Sequence, residues 1–359
     1  MKTTDVRVRR AIAAVEMGRP VVMIADTENG GQGYLVFAAD AATPEMLAFT
    51  VRHTAGLVRV ALPPTECERL DLPPMRPADP DRSRAAAQRV AVDTDGTGTG
   101  ISATDRARTI AALASPRSRP EDFRRPGHVI PVRAEAAGVL AHPGPVEAAL
   151  DLARLAGRGQ AAGLCEIVSR DHPVAIAGDT ESAVFAKEHG LAPISITELA
   201  DYRRRTERQV VRLAETVLPT GGGSHRVIGF RDVRGGGEHL VVVIGAVGSG
   251  QPVPLHVHVE CLTGDVFGSE ACRCGRELGN ALTAMTAARR GVIVYLRPTG
   301  AMHACGLPGS DDGPTPDLPS DTLAWILRDL GVYSVRLADD APGFGLVMFG
   351  AIREQRGAA

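Results

Sequence analysis

Three cysteines, Cys261, Cys272 and Cys274, fall within fourteen residues of the stretch HVHVECLTGDVFGSEACRCGREL at 256–278, in a C-x10-C-x-C pattern. His256, His258 and Glu260 stand beside the first of them. Thiolates are soft donors that suit zinc, and three protein ligands leave the fourth tetrahedral position to water, the arrangement of a catalytic rather than a structural site. The pattern therefore reads as a zinc centre. The other use of such cysteines is as small buried apolar residues, and their setting among glycines and charged residues argues against it. Cys67, Cys165 and Cys305 are scattered, so no disulfide framework is expected. His303 joins His256 and His258 as a candidate to reach the zinc region.

ECLTGDVFGS followed by CxCG resembles the zinc-binding segment of GTP cyclohydrolase II, the enzyme that opens the imidazole ring of GTP at the start of riboflavin synthesis. The resemblance implies that Cys261, Cys272 and Cys274 hold Zn2+, which lowers the pKa of a bound water so that it can attack the purine carbon lost as formate. It places Glu260 where the family has a substrate-contacting glutamate, with His258 beside it as a second catalytic candidate. His256, Glu277 and Arg297 fall at substrate-binding positions. Departures from the family pattern are also plain. His256 replaces an arginine, Glu277 a glutamine, Thr299 a glutamate and Ala301 an arginine. The segment after residue 305 is shortened, which aligns Pro316 and Leu318 with an aspartate proton acceptor and a phosphate-binding arginine.

Elements must position these groups, and 359 residues are more than one core usually supports, so two domains are expected. Residues 5–18 carry helical spacing up to Gly18; PVVMIAD at 20–26 and LVFAAD at 35–40 read as strands. Residues 43–56 open with Thr43 as N-cap and Pro44 at the first helical position. LVRVAL follows as a strand, 63–100 reads as irregular, and DRARTIAALASP as a helix. One or two helical segments are expected over 195–220, leading into a flexible TGGGSH. Beyond it, HLVVVIGAV and VIVYLRP read as strands, GRELGNALTAMTAARRG as a helix, and DTLAWILRDLG as a helix capped by Asp321. The alternation gives an α/β (α+β) fold, with domains at 1–207 and 208–359.

The first half resembles 3,4-dihydroxy-2-butanone 4-phosphate synthase through TGISATDRARTI, RPGHVIPVRA, DLARLAG and LCEI. That family uses Mg2+, and His128 and Glu166 fall at its catalytic positions. Its acidic magnesium-binding loop is matched here by ADTENGGQGY at 25–34, where Gly30, Gln32 and Tyr34 replace acidic residues. Pro145 stands where the second magnesium ligand, a histidine, would be. Hard cations need oxygen or imidazole donors, which glycine and proline lack. Magnesium is therefore not expected to be retained. Together the two likenesses cover most of the chain and resemble the bifunctional riboflavin-synthesis proteins, which implies a homodimer.

Composition narrows the partners: 40 Lys and Arg against 42 Asp and Glu imply no nucleic-acid partner, and the basic run at 203–205 reads as a solvated helix face. No targeting or membrane-spanning segment is seen, so the expected location is cytoplasmic. Three readings of function follow. The first is a zinc-dependent hydrolase acting on a nucleotide-like or smaller heterocycle in a specialised pathway. The second is the standard riboflavin-pathway activity of either half, and the third is a non-catalytic scaffold or regulator.

Overall fold

Short apolar runs alternate with amphipathic helices through the first two hundred residues, and in the computed structural model they fold as a seven-stranded mixed sheet with helices on both faces. The structure describes residues 3–25, 31–76, 87–96, 98–220, 222–233, 236–248, 251–297, 303–305, 320–337 and 353–354. The chain divides into two units at Arg203/Arg204. In the first, the strands are β1 (Val21–Ile24), β2 (Gly33–Ala38), β3 (Arg59–Leu62), β4 (Val92–Thr94), β5 (Phe123–Arg133), β6 (Ala162–Glu166) and β7 (Ala192–Ser195), in the order β4-β5-β3-β6-β2-β1-β7. The pairs β3/β5 and β1/β7 are parallel.

Among the described residues seven α-helices accompany them: α1 (Thr3–Glu16), α2 (Pro44–His53), α3 (Pro64–Arg69), α4 (Ala103–Ala114), α5 (Pro145–Leu155), α6 (Asp179–Glu188) and α7 (Ile196–Thr206). Thr43 caps α2 as expected, its Oγ1 accepting the Met46 N–H at 3.2 Å. Successive residues of β2 serve opposite faces: Tyr34, Val36 and Ala38 pack under α1 and α5, and Leu35 and Phe37 pack on the other side. Burial on both faces explains why these strands read as continuous apolar runs.

The second unit has its own seven-stranded sheet: β8 (Val210–Thr220), β9 (Gly223–Asp232), β10 (Glu238–Ile244), β11 (Val253–Val259), β12 (Gly291–Leu296), β13 (Ser334–Leu337) and β14 (Arg353–Glu354). Its helices are α8 (Leu262–Asp265), α9 (Cys274–Ala288) and α10 (Ser320–Asp329). Strand order is β14-β13-β11-β12-β10-β9-β8. Alternation again divides the faces. Val241, Val243, Val292, Val294 and Leu296 pack with Leu323, Ile326 and Leu327 of α10, and Ile244 and Ile293 pack with Met285 of α9.

Five expectations are corrected. Residues 210–220 are not helical: they form β8, which pairs with β9 from Val210↔Asp232 to Thr220↔Gly223. Within TGGGSH, Thr220, Gly223, Ser224 and His225 are paired strand residues rather than a flexible stretch, and Gly221 lies outside the described residues. Most side chains of β8 are exposed, so no buried face imposed a readable period on it. The irregular region 63–100 contains α3 and β4. Asp321 lies inside the first turn of α10, after Ser320, and does not cap it. Arg203 belongs to no solvated face, because α7 turns it inward to an ion pair with Asp151 and a 3.1 Å bond to the carbonyl of Ala137.

Arg203 is 5% and Asp151 1% exposed, so removing one partner strands a buried charge. Arg203→Met is expected to lower unfolding stability by about 3–5 kcal/mol. Adding Asp151→Asn, which can still accept the Val139 N–H held at 2.8 Å, should recover most of it. Denaturant unfolding of the two variants checks this, and equal losses in both would remove the buried-charge explanation.

Candidate metal centre

β11 sends Val253, Leu255 and Val257 into the core under α10, which obliges His256 and His258 to lie on the opposite, α9 face. Both histidines are buried. Parallel pairing sets His256 beside Ile293 and His258 beside Tyr295, and the three rings stack in series at centroid distances of 5.9 and 5.2 Å. Asp265 ties this stack to the cysteine loop. Its carboxylate lies 3.0 Å from His258 Nε2, and it accepts the Tyr295 hydroxyl and the Cys261 N–H, each at 2.8 Å. Burial, then the bond to Asp265, pushes the Tyr295 phenol well up, so it stays a donor.

Cys261 follows the end of β11 at Val259 and caps α8, while Cys272 and Cys274 approach from the other side at the start of α9. A helix N-terminus favours negative charge and so suits a thiolate at Cys274. The two backbones meet closely: a Cβ on Gly275 would lie 2.2 Å from the Gly264 carbonyl oxygen, and one on Gly264 would lie 2.9 Å from Cys272 Sγ. Sulfur positions follow. Cys261 Sγ is 3.8 Å from Cys272 Sγ, and a fourth thiol, Cys305, lies 3.9 Å from Cys274 Sγ. All four sulfurs lie within 4.8 Å of one another.

Cys305 was expected to be scattered, and the structure instead places it beside the three clustered cysteines. Backbone contacts bring it in: Leu262 N–H donates to the His303 carbonyl at 3.0 Å, and Thr263 Oγ1 to the Cys305 carbonyl at 2.9 Å. His303 arrives with it, its Nε2 at 3.7 Å from Cys305 Sγ. Burial pushes the Cys261 thiol up, but hydrogen bonding with Thr263 and from the backbone at Cys305 and Gly264 outweighs it and holds the group at about 7. Cys305 is pushed up to about 11, first by burial and then by Cys261, and Cys274 still further by burial and by Cys272. Such a set suits a soft dication that replaces the protons.

Of the other expected site residues, Glu260 is held by Arg297 Nε at 3.0 Å, and Glu277 stands in the first turn of α9. Burial, followed by neighbouring His258, lowers the pKa of His256, with Glu277 opposing; among the described residues its buried Nε2 has no hydrogen-bond partner. Thr299, Ala301, Pro316 and Leu318 lie outside the described residues, as does Gly30. Asp265, Tyr295 and Cys305 are the residues that sequence reasoning missed. Only the four-residue step from Cys261 to Asp265 offered a local signal, since the other two arrive through sheet register and a contact 31 positions from Cys274.

In the first unit, His128 Nδ1 lies 2.7 Å from Asp93 Oδ2, and Glu166 is ion-paired to Arg59. A cleft of about 530 Å³ is lined by Gln32, Tyr34, Arg59, His142, Pro145 and Glu147. Tyr34 Oη donates to Gln32 at 3.0 Å, and Pro145 opens α5. No oxygen-donor cluster that fits magnesium occurs among the described residues, where the four cysteines are the one group of three or more donors close enough to share a metal.

Comparison with known proteins agrees with this division. The family model for 3,4-dihydroxy-2-butanone 4-phosphate synthase matches residues 9–202, and that for GTP cyclohydrolase II matches 211–305. The riboflavin biosynthesis protein RibBA of Salinispora arenicola is 44% identical over 376 residues, covering 98% of this chain and 89% of the relative. The chain belongs to this riboflavin-biosynthesis family. RibBA of Mycobacterium tuberculosis is 43% identical over 369 residues, covering 94% of the chain and 87% of the relative. Among solved structures, RibBX, a two-domain 3,4-dihydroxy-2-butanone 4-phosphate synthase from A. baumannii, aligns with a TM-score of 0.72 at 27% identity, over 98% of this chain and 100% of that one. A 3,4-dihydroxy-2-butanone 4-phosphate synthase in complex with two magnesium ions aligns over 56% of this chain and 97% of its own, with a TM-score of 0.51 at 38% identity. Among the described residues no helix is long and apolar enough to cross a membrane.

The Gly264–Gly275 contact makes a prediction for this family member. Gly275→Ala should force the two cysteine-bearing segments apart, at a cost of about 1–3 kcal/mol typical of overpacking. Thermal unfolding and metal content should fall together, and a variant with unchanged values would show that the close approach is dispensable.

Proposed function

We propose that this chain does its chemistry in the second unit, as a zinc-dependent hydrolase that opens a C–N bond of a nucleotide-like heterocycle. The observation that carries the reading is the thiol cluster beside the His258–Asp265–Tyr295 network. Its all-sulfur donor set fits zinc. When bound, zinc would supply a Lewis acid and acidify a water towards neutrality. Asp265 fixes the Cys261 loop and the His258 ring, while Glu260, oriented by Arg297, offers a carboxylate to an N–H of the base. GTP is the first substrate to test, because relatives named as riboflavin biosynthesis proteins cover nearly the whole chain at 44% identity. A smaller heterocycle without a triphosphate is favoured by one observation: Glu277, near His256, would repel phosphates where a neutral donor is expected.

Protein purified without added metal should contain about one zinc per chain, and Cys272→Ser should lose it. Zinc-loaded protein should release formate from GTP, GMP or guanosine, and the release should be lost with Cys272→Ser. The same panel is run on Cys305→Ser, whose side chain lies in the cluster. If neither the wild-type chain nor Cys305→Ser releases formate from any of the three, the hydrolase reading fails and the non-catalytic one takes its place.

For the first unit the reading is that it no longer makes the butanone phosphate. Tyr34 and Gln32 bond to each other where acidic residues are expected, Pro145 offers no ligand, and Glu166 is engaged by Arg59. The names of the relatives point the other way, so the assay decides. Ribulose 5-phosphate with magnesium should yield no formate above background, and turnover sensitive to His128→Ala would overturn the reading.

A further inference from the structure

We infer that Cys305 is a fourth zinc ligand, so that the metal is held by four sulfurs and the position expected for water is filled by a thiolate. The inference rests on the zinc reading above but is separate from hydrolysis. A tetrahedral zinc with Zn–S bonds of about 2.3 Å sets its sulfurs about 3.8 Å apart. The separations of 3.8 Å for Cys261–Cys272 and 3.9 Å for Cys274–Cys305 match two opposite edges of such a tetrahedron, and no pair among the four exceeds 4.8 Å.

The placement of Cys305 is built, since its segment is bonded on both sides of the sulfur. The Leu262 N–H holds the His303 carbonyl, and Thr263 Oγ1 holds that of Cys305 itself. Those donors sit on the two residues that follow Cys261, so the first and fourth sulfurs are fixed to the same turn. Thr263 Oγ1 also lies 3.5 Å from Cys261 Sγ, which sets one hydroxyl between the two. His303 Nε2, at 3.7 Å from Cys305 Sγ, is positioned to hydrogen-bond the thiolate from outside the tetrahedron. A hydrogen bond to a ligand atom tunes the metal without joining its coordination shell.

Closed four-sulfur sites are structural, whereas catalytic zinc keeps one position open. The consequence is that hydrolysis at this centre requires Cys305 to leave the metal, so serine at 305 should release a capped activity rather than abolish it.

X-ray absorption at the zinc edge of the purified full chain is the direct test, because it counts sulfurs without reference to turnover. Four sulfurs at one distance are expected in the wild-type protein and in His303→Ala. Three sulfurs and one lighter atom, with zinc retained at about one per chain, are expected in Cys305→Ser. Three sulfurs and one oxygen or nitrogen in the wild type would overturn the inference, as would a Cys305→Ser spectrum identical to wild type. Cobalt substitution gives a second readout through the intensity of its sulfur charge-transfer bands, which should drop by about a quarter in Cys305→Ser if each of four thiolates contributes alike. Formate release separates this inference from the hydrolase reading: a rise of at least tenfold in Cys305→Ser supports both. Four sulfurs with no release from either protein leaves Cys305 a ligand and removes the hydrolase.

Discussion

Four buried or half-buried sulfurs packed within 4.8 Å of one another are the constraint on which the second unit's architecture turns. Two like unit charges about 4 Å apart repel by about 4 kcal/mol at an effective permittivity of 20, so bare thiolates cannot be assembled there together. The protein's own hydrogen bonds support one of them: Cys261 is held near 7 while Cys274 and Cys305 are forced up. A dication changes the sign of the problem, because each thiolate is then attracted to the centre by more than it is repelled by its neighbours. With such an ion bound, folding of the 261–274 loop would be coupled to its uptake.

Such a cluster needs a rigid frame, and the sheet provides it through strand period alone. With Val253, Leu255 and Val257 committed to one core, His256 and His258 have only the other face, and the register with β12 places Tyr295 beside the second of them. Asp265 then does the work of several side chains. Buried, it would be costly as an isolated charge, but it accepts from a backbone N–H and a phenol and faces an imidazole nitrogen, and charge-assisted bonds of this kind are the stronger ones. The carboxylate connects the strand that carries the histidines to the turn that carries Cys261.

The frame of the first unit accommodates Pro145 and Tyr34 readily. Proline is favoured at the first position of a helix, where its missing N–H is not needed, so α5 starts cleanly at Pro145. Tyr34 is likewise accommodated as part of the core on one face of β2, with its hydroxyl satisfied by Gln32. Residues of this type cost the scaffold little.

Local signals in the sequence were enough for much of this. Thr43 followed by Pro44 marked a helix start because capping is chemistry within one turn, and the runs of β1, β2 and β12 were visible because both their faces are buried. β8 escaped because its side chains are mostly in solvent, and Arg203 because nothing nearby in sequence announces Asp151 on another helix. The cysteine motif behaves in the same way. Cys261, Cys272 and Cys274 are fixed by a turn and a helix start, so spacing reveals them, whereas Cys305 is recruited through the backbone of Leu262 and the hydroxyl of Thr263. Donor type is local and legible in spacing, whereas a fourth donor arrives only through a tertiary contact, and the number of ligands is what separates an open zinc site from a closed one.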